Sequence, residues 1–383
     1  SILIKLNKPS LTNEICPKSS VRTKLDSCHC AVRNPRGVFK ILSTGDRVQR
    51  GRARFRAMEK PLLTFDRGTT CSAWDYCGQR LATGSSDGTL AIFDTVDPAS
   101  SSSFTCTSRS MAHESGVLKI IWAPPEYGDA IACIYQDGTF SLSEEVVEDS
   151  QPVQLKLCKH FQSKPCAVLD IHFGLSQRSL IMVAAYADGH VKVHELLDTL
   201  ELKNWQVQAE FQNVIGSVST FGKVSCSSAS ICWNPSRGGR QQRSFVLGFI
   251  SDTAEFNSSK VWEFDEVHQR WLPVAELAMP GDKNDGVSSV AWASNIGRLY
   301  EVIAVASPKG IAIWHVGSNP DADGRLSVEM VALLSGHEAE VWEMRWDSSG
   351  MTLATVGEDG TVRLWQSNLS GVWQERGVFQ PSL

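Results

Sequence analysis

The chain has 383 residues, 42% of them hydrophobic and 21% charged, with 37 Lys+Arg against 42 Asp+Glu. These proportions suit a globular protein with a large core, and no apolar run reaches the ~18 residues of a membrane-spanning helix. The charge is unevenly spread: residues 1–57 hold 13 Lys+Arg and three acids (Glu14, Asp26, Asp46), leaving 24 basic and 39 acidic residues beyond them, a balance that excludes binding to nucleic-acid phosphates as a main task.

In chain order, residues 1–57 show neither the period of a strand nor that of a helix. They read as a disordered basic leader, a targeting segment or sequence foreign to the native protein, with a folded domain over 58–383 that begins near Met58. Cys16 and Cys28-His29-Cys30 have no matching Cys-x-x-Cys pair, so no metal site is expected there. The eleven cysteines are odd in number and irregularly spaced, which reads as reduced thiols rather than a disulfide framework.

From Glu59 onward one phrase recurs: an alternating strand ending in an aromatic, a strand of small residues, an Asp-Gly turn, and a third strand closing on an aromatic or apolar residue. The first-strand aromatic falls at Trp74, Trp122, Phe173, Trp233, Trp292 and Trp346, at intervals of 48, 51, 60, 59 and 54 residues. In phase with it come Asp87-Gly88, Asp137-Gly138, Asp188-Gly189, Lys309-Gly310 and Asp359-Gly360, with a degenerate copy near Ser251-Asp252. Asp-Gly favours two-residue hairpin loops, in which both central residues take positive φ. Outer strands are expected over residues 104–108, 153–157, 204–211, 270–277, 326–334 and 372–379.

This pattern resembles the WD-repeat β-propeller, and the resemblance implies an all-β fold of six four-stranded blades. The naming Trp-Asp dipeptide is missing throughout, and the sixth repeat alone keeps His337, Thr355, Asp359 and Trp365. In that family these four form a buried hydrogen-bonded tetrad, so they are expected to be structural. The sequence has no phosphate-binding glycine loop, no Gly-x-Ser-x-Gly and no His-Glu-x-x-His. Glu144-Glu145 and Glu148-Asp149 are expected in a solvated connection of the second repeat. No catalytic residue, metal or cofactor is predicted, and binding is the expected work.

Local phrases narrow the resemblance. Trp122-Ala123-Pro124-Pro125-Glu126-Tyr127-Gly128-Asp129 is similar to a phrase shared by the Sec-thirteen vesicle-coat protein and its homologue in the nuclear pore. Cys232-Trp233-Asn234-Pro235-Ser236-Arg237 and the run from Ser294 to Ala304 look like the Sec-thirteen-homologue nucleoporin family. That resemblance implies a non-enzymatic scaffold of the nuclear envelope, supporting nucleocytoplasmic transport of protein and mRNA. It implies a propeller left open between its first and last blades, closed when a nucleoporin of the Y-shaped outer-ring complex donates a blade in trans. Leu62, Leu63, Phe65, Trp373 and Val378 are the candidates for packing that blade. The family also implies contacts with other Y-complex subunits and a role in the GATOR-type complex of TOR signalling at lysosome or vacuole membranes. The rival readings are the vesicle coat of endoplasmic-reticulum export and a cullin-ligase substrate receptor. The latter carry Trp-Asp with Arg two positions on, whereas here Gln366, Ser367 and Asn368 follow Trp365.

Overall fold

A computed structural model describes residues 68–380, except the connections 98–99, 147–153, 163–165, 177–178, 214–223, 236–242, 279–284 and 369. Before them, strands are described at Leu3–Lys5, His29–Arg33, Phe39–Ser43 and Leu63–Thr64, paired antiparallel in that order. The expectation of a disordered leader over 1–57 otherwise lies outside the described residues.

The described residues form six four-stranded antiparallel sheets, each taken in chain order from its innermost to its outermost strand. Blade one comprises Thr69–Trp74, Arg80–Ser85, Thr89–Asp97 and Ser100–Met111. Blade two comprises Val117–Trp122, Ala130–Tyr135, Phe140–Val146 and Gln154–Phe161. Blade three runs through Val168–Leu175, Leu180–Tyr186, His190–Leu196 and Trp205–Gln212. Blade four runs through Cys226–Trp233, Ser244–Ser251, Ser259–Asp265 and Arg270–Leu277. Blade five follows with Ser289–Trp292, Tyr300–Ser307, Gly310–Pro320 and Leu326–Leu334. Blade six closes the series with Val341–Trp346, Thr352–Gly357, Val362–Ser367 and Trp373–Phe379. This is a six-bladed β-propeller with no α-helix among the described residues.

The second strands explain the recurring run of small residues. They sit in mid-sheet with a blade packed on either face, so Ala130–Tyr135 and Leu180–Tyr186 are buried at every position. Close packing there leaves no room for a larger side chain. A Cβ on Gly84 would fall 2.6 Å from Val117, and one on Gly248 2.4 Å from Val287. Outer strands match the predicted ranges in blades four and five, but in blade one the outer strand extends to Ser100–Met111. The Asp-Gly turns also differ from expectation. Gly88, Gly138, Gly189 and Gly360 have φ of 70 to 86°, but none of the preceding aspartates does. Each glycine N–H returns to the carbonyl three residues back, and the aspartate Oδ1 accepts the N–H two residues on, as from Thr89 at 2.9 Å and Thr139 at 3.0 Å. That is a type I turn closed by a left-handed glycine, not the two-residue mirror-image turn.

One consequence of packing is testable by pH. His194 lies in the third strand of blade three, is 7% exposed, and meets Phe161 edge-on at 5.4 Å between ring centroids. Burial, reinforced by the Lys192 charge, pushes its imidazole from 6.5 down to about 4. The native state therefore holds His194 neutral, while the unfolded chain binds a proton below about pH 6.5. Stability from this residue is full above pH 6.5 and falls as pH drops towards 4, by about 3 kcal/mol across the window. Urea unfolding at pH 7 and pH 4.5 is expected to show a smaller loss in His194→Phe than in the parent.

Candidate partner-binding interface

The polar set of blade six assembles as a donor chain. Trp365 Nε1 donates to Thr355 Oγ1 at 2.9 Å, and Thr355 lies 2.8 Å from His337 Nε2. His337 Nδ1 lies 3.0 Å from Asp359 Oδ2. Because Thr355 accepts from the indole, its own hydroxyl proton goes to Nε2, and the ring's proton on Nδ1 goes to Asp359. Burial holds His337 below its ordinary pKa against the pull of Asp359, so a neutral imidazole fits both contacts. Burial works against ionised Asp359, but hydrogen bonds from Thr361, His337 and the Glu338 N–H outweigh it and keep the carboxyl low. All the partners are thus satisfied within the blade, and the set pins the turn at Gly360 to the incoming connection.

Blade five rewrites this set with opposite charge. Asp285 stands four residues before the first strand, where blade six has His337, and Lys309 occupies the place of Asp359. Their Nζ and Oδ2 atoms are 3.1 Å apart. Blade two keeps only part of it, His113 Nε2 lying 3.7 Å from Asp137 Oδ2. Among the described residues no group of three or more His, Cys, Asp or Glu is placed to hold a metal.

Hydrogen bonds stitch each neighbouring pair of blades at their innermost strands. Thr70 Oγ1 donates to the Val117 carbonyl, and Trp122 Nε1 to the Ala73 carbonyl at 3.0 Å, between blades one and two. Lys119 Nζ reaches Asp170 at 2.5 Å between two and three, and the Ile231 N–H reaches the other oxygen of Asp170 at 2.8 Å between three and four. The Val290 N–H donates to Ser230 Oγ at 3.0 Å between four and five. Trp346 Nε1 donates to the Ala291 carbonyl at 3.1 Å between five and six. No such bond joins blade six to blade one among the described residues.

Apolar packing has the same organisation. Five core clusters are found, and each lies between two successive blades, from one-two round to five-six. Two sets of buried residues belong to none of them. In blade one, register places Trp74 beside Leu81 and Leu81 beside Phe93, on the face turned from blade two. In blade six, Ala354 pairs with Leu364 and Val356 with Val362, on the face turned from blade five. Leu81, Phe93, Val356 and Leu364 are at most 8% exposed.

The residues picked from sequence for this interface fall differently. Leu62 and Phe65 are outside the described residues, and of Leu63 only its backbone strand is described. Trp373 and Val378 lie in the outer strand of blade six, but opposite Ser367 and Arg363, on the face of Trp365. Trp373 meets Trp346 edge-on at 5.7 Å and joins the layer between blades five and six. The opposite face takes Phe379, which pairs with Val362. A bulge between Leu364 and Trp365 shifts the strand by one residue, and such a shift exchanges the faces. The acid pair also moves: Glu144 and Glu145 lie in the third strand of blade two, not in a connection. The Glu145 side chain is 5% exposed and bonds Arg80 of blade one.

Comparison with known proteins agrees with this architecture. A family model for the WD domain, G-beta repeat, matches residues 59–94 and 328–366. The chain is 57% identical over 324 residues to Protein SEH1 of Arabidopsis thaliana, covering 85% of this chain and 99% of that protein. It is 29% identical to Nucleoporin SEH1 of Osmerus mordax, over 80% of this chain and 83% of the relative. To Nucleoporin SEH1 of Homo sapiens it is 27% identical, over 80% and 84%.

Proposed function

Because the chain belongs to the SEH1 family of WD-repeat proteins, we propose that it is a structural nucleoporin: a non-enzymatic scaffold subunit of the nuclear pore complex, at the nuclear envelope. Within that role it is closed by a blade that a partner nucleoporin of the Y-shaped outer-ring complex donates in trans, and it supports transport of protein and mRNA through the pore. A second assembly of the GATOR type at lysosome or vacuole membranes belongs to the same proposal.

The observation that carries the reading is the pair of apolar faces, buried Leu81-Phe93 beside half-buried Trp74 and buried Val356-Leu364, that belong to none of the five interblade layers. The repeat phase supports it. The match over 328–366 starts in the outer strand of blade five and ends in the third strand of blade six. By the same phase the match over 59–94 starts at the strand Leu63–Thr64, one strand ahead of blade one. That one strand would be the outer member of the closing blade, and three more must pair with it. Strand addition supplies them through main-chain hydrogen bonds, with side chains setting register. A second reading rests on the pairing of Leu63 with Ile41 and of Thr64 with Lys40, by which the leader's own strands take that place.

Affinity purification of the tagged full chain from nuclear-envelope extract, with mass spectrometry of stoichiometric partners, tests both. Outer-ring nucleoporins are expected. Vesicle-coat or cullin-adaptor subunits in their place would refute the reading, and a monomeric full chain would favour closure by the leader.

A further inference from the structure

The aromatic marker of the innermost strand does more than mark the repeat. Trp122 reaches back to the blade before it and donates its indole N–H to the Ala73 carbonyl, and Trp346 does the same to Ala291. Both acceptors occupy one repeat position, the residue immediately before that blade's own marker, Trp74 or Trp292. At the junction of blades four and five the same position is Cys232, whose Sγ accepts the main-chain N–H of Trp292 at 3.3 Å, while the Trp292 indole donates to Glu301 of its own blade at 2.9 Å. The residue that accepts an indole N–H is alanine at both junctions, Ala73 and Ala291, whereas the same position holds Ile121 in blade two and His172 in blade three. At the junction of blades three and four the close approach falls after the marker Phe173: a Cβ on Gly174 would lie 2.2 Å from the Trp233 ring.

Trp74 is the copy of this marker in blade one, and register turns it to the face shared by Leu81 and Phe93, away from blade two. Its ring lies 5.7 Å from Phe104 of the same blade at an interplanar angle of 57°, which fixes the indole on that side. By the rule that holds at the one-two and five-six junctions, its N–H addresses the innermost strand of whatever blade precedes blade one around the ring.

We propose that Trp74 is the residue through which this propeller recognises its donated blade. The indole N–H donates to a main-chain carbonyl in the innermost strand of the partner's blade, and the residue supplying that carbonyl is small: Ala, Cys, Ser or Gly. This rests on the trans-donation reading above. It adds a requirement on the partner: a large side chain at that one position would collide with the ring, whatever its hydrophobicity.

The test uses the full chain co-expressed with the outer-ring nucleoporin recovered in stoichiometric amount by the parent protein, and compares Trp74→Phe with Trp122→Phe. Phenylalanine keeps an aromatic ring and removes only the donor and the second ring. Loss of a buried hydrogen bond at an interface is expected to speed dissociation of the partner about tenfold in Trp74→Phe, with the melting temperature of the free chain within a few degrees of the parent. Trp122→Phe is expected to lower the melting temperature and leave dissociation within about twofold. In the partner, replacing the small residue opposite Trp74 with Leu is expected to abolish the complex. Dissociation of Trp74→Phe at the parent rate would overturn the proposal while leaving blade donation standing. Failure of the parent chain to retain any stoichiometric nucleoporin would overturn both.

Discussion

Asp170→Ala is expected to destabilise the protein by about 3–5 kcal/mol, read as a large fall in the urea midpoint. The carboxylate is 1% exposed and holds three elements at once. Its Oδ1 accepts from Lys119 Nζ at 2.5 Å and from its neighbour's N–H, that of Ile171, at 2.8 Å. Its Oδ2 accepts the Ile231 N–H at 2.8 Å. Lys119 belongs to blade two and Ile231 to blade four, so one side chain joins three consecutive blades. Alanine would strand two buried N–H groups, each costing roughly 1–3 kcal/mol, and remove the partner of a cation. Lys119 is 42% exposed, so water can take over its ammonium and that share of the loss is small. The cost therefore lies in the two amides. Asp170→Asn, which keeps one acceptor oxygen, is expected to lose about half as much. A midpoint in Asp170→Ala unchanged from the parent would show that the junction contributes nothing.

Most of the architecture is legible in the chain because a propeller repeats its constraints. The aromatic markers end five of the six innermost strands, at Trp74, Trp122, Trp233, Trp292 and Trp346. At Trp122 and Trp346 the indole reaches from one blade to the one before it. Small residues recur in second strands because both faces are packed. In blade four the displaced third strand is visible as Asn257-Ser258-Ser259, and the structure fills the gap with the turn Ala254–Phe256 before the strand at Ser259–Asp265. Phe256 is fully buried there, close enough to Gly189 that a Cβ would fall 2.3 Å from its ring.

What sequence could not give is anything that depends on a shift of one residue or on a distant partner. Trp373 and Val378 are apolar and near the chain's end, and alternation alone cannot say which face they take. The bulge at Leu364/Trp365 decides it, and bulges leave little trace in composition. Glu144-Glu145 has the look of a solvated run, since adjacent acids in a strand would point to opposite faces and one must be buried. The structure buries Glu145 all the same, because Arg80 stands 65 residues earlier in sequence and next to it in space. The blade-five pair was invisible for a related reason: Asp285–Lys309 keeps the contact of His337–Asp359 while exchanging both residue types.

Arg80 and Glu145 carry the other large effect. Arg80 Nε donates to Asp94 at 2.9 Å within blade one, while its terminal nitrogens reach Glu145 at 2.6 and 2.8 Å and Asp129 at 3.3 Å in blade two. The guanidinium also lies 5.3 Å from the Trp122 ring centroid, a cation–π distance. Although burial disfavours its charge, the contacts with Glu145 and Asp94 more than offset this and hold the guanidinium firmly protonated. The pair is not symmetric: Arg80 is 19% exposed, Asp94 is 35% exposed and Glu145 is 5% exposed. Removing the arginine strands the most buried of the three. Arg80→Met is therefore expected to cost about 3 kcal/mol or more, at the level of a broken buried ion pair. The double variant Arg80→Met/Glu145→Leu, which removes the stranded charge and supplies apolar volume, is expected to regain most of that loss. A thermal-unfolding cycle of parent, both single variants and the double would measure the coupling. If the losses simply added, Arg80 would be acting through Asp94 and Trp122, and the bridge from blade one to blade two would hold nothing together.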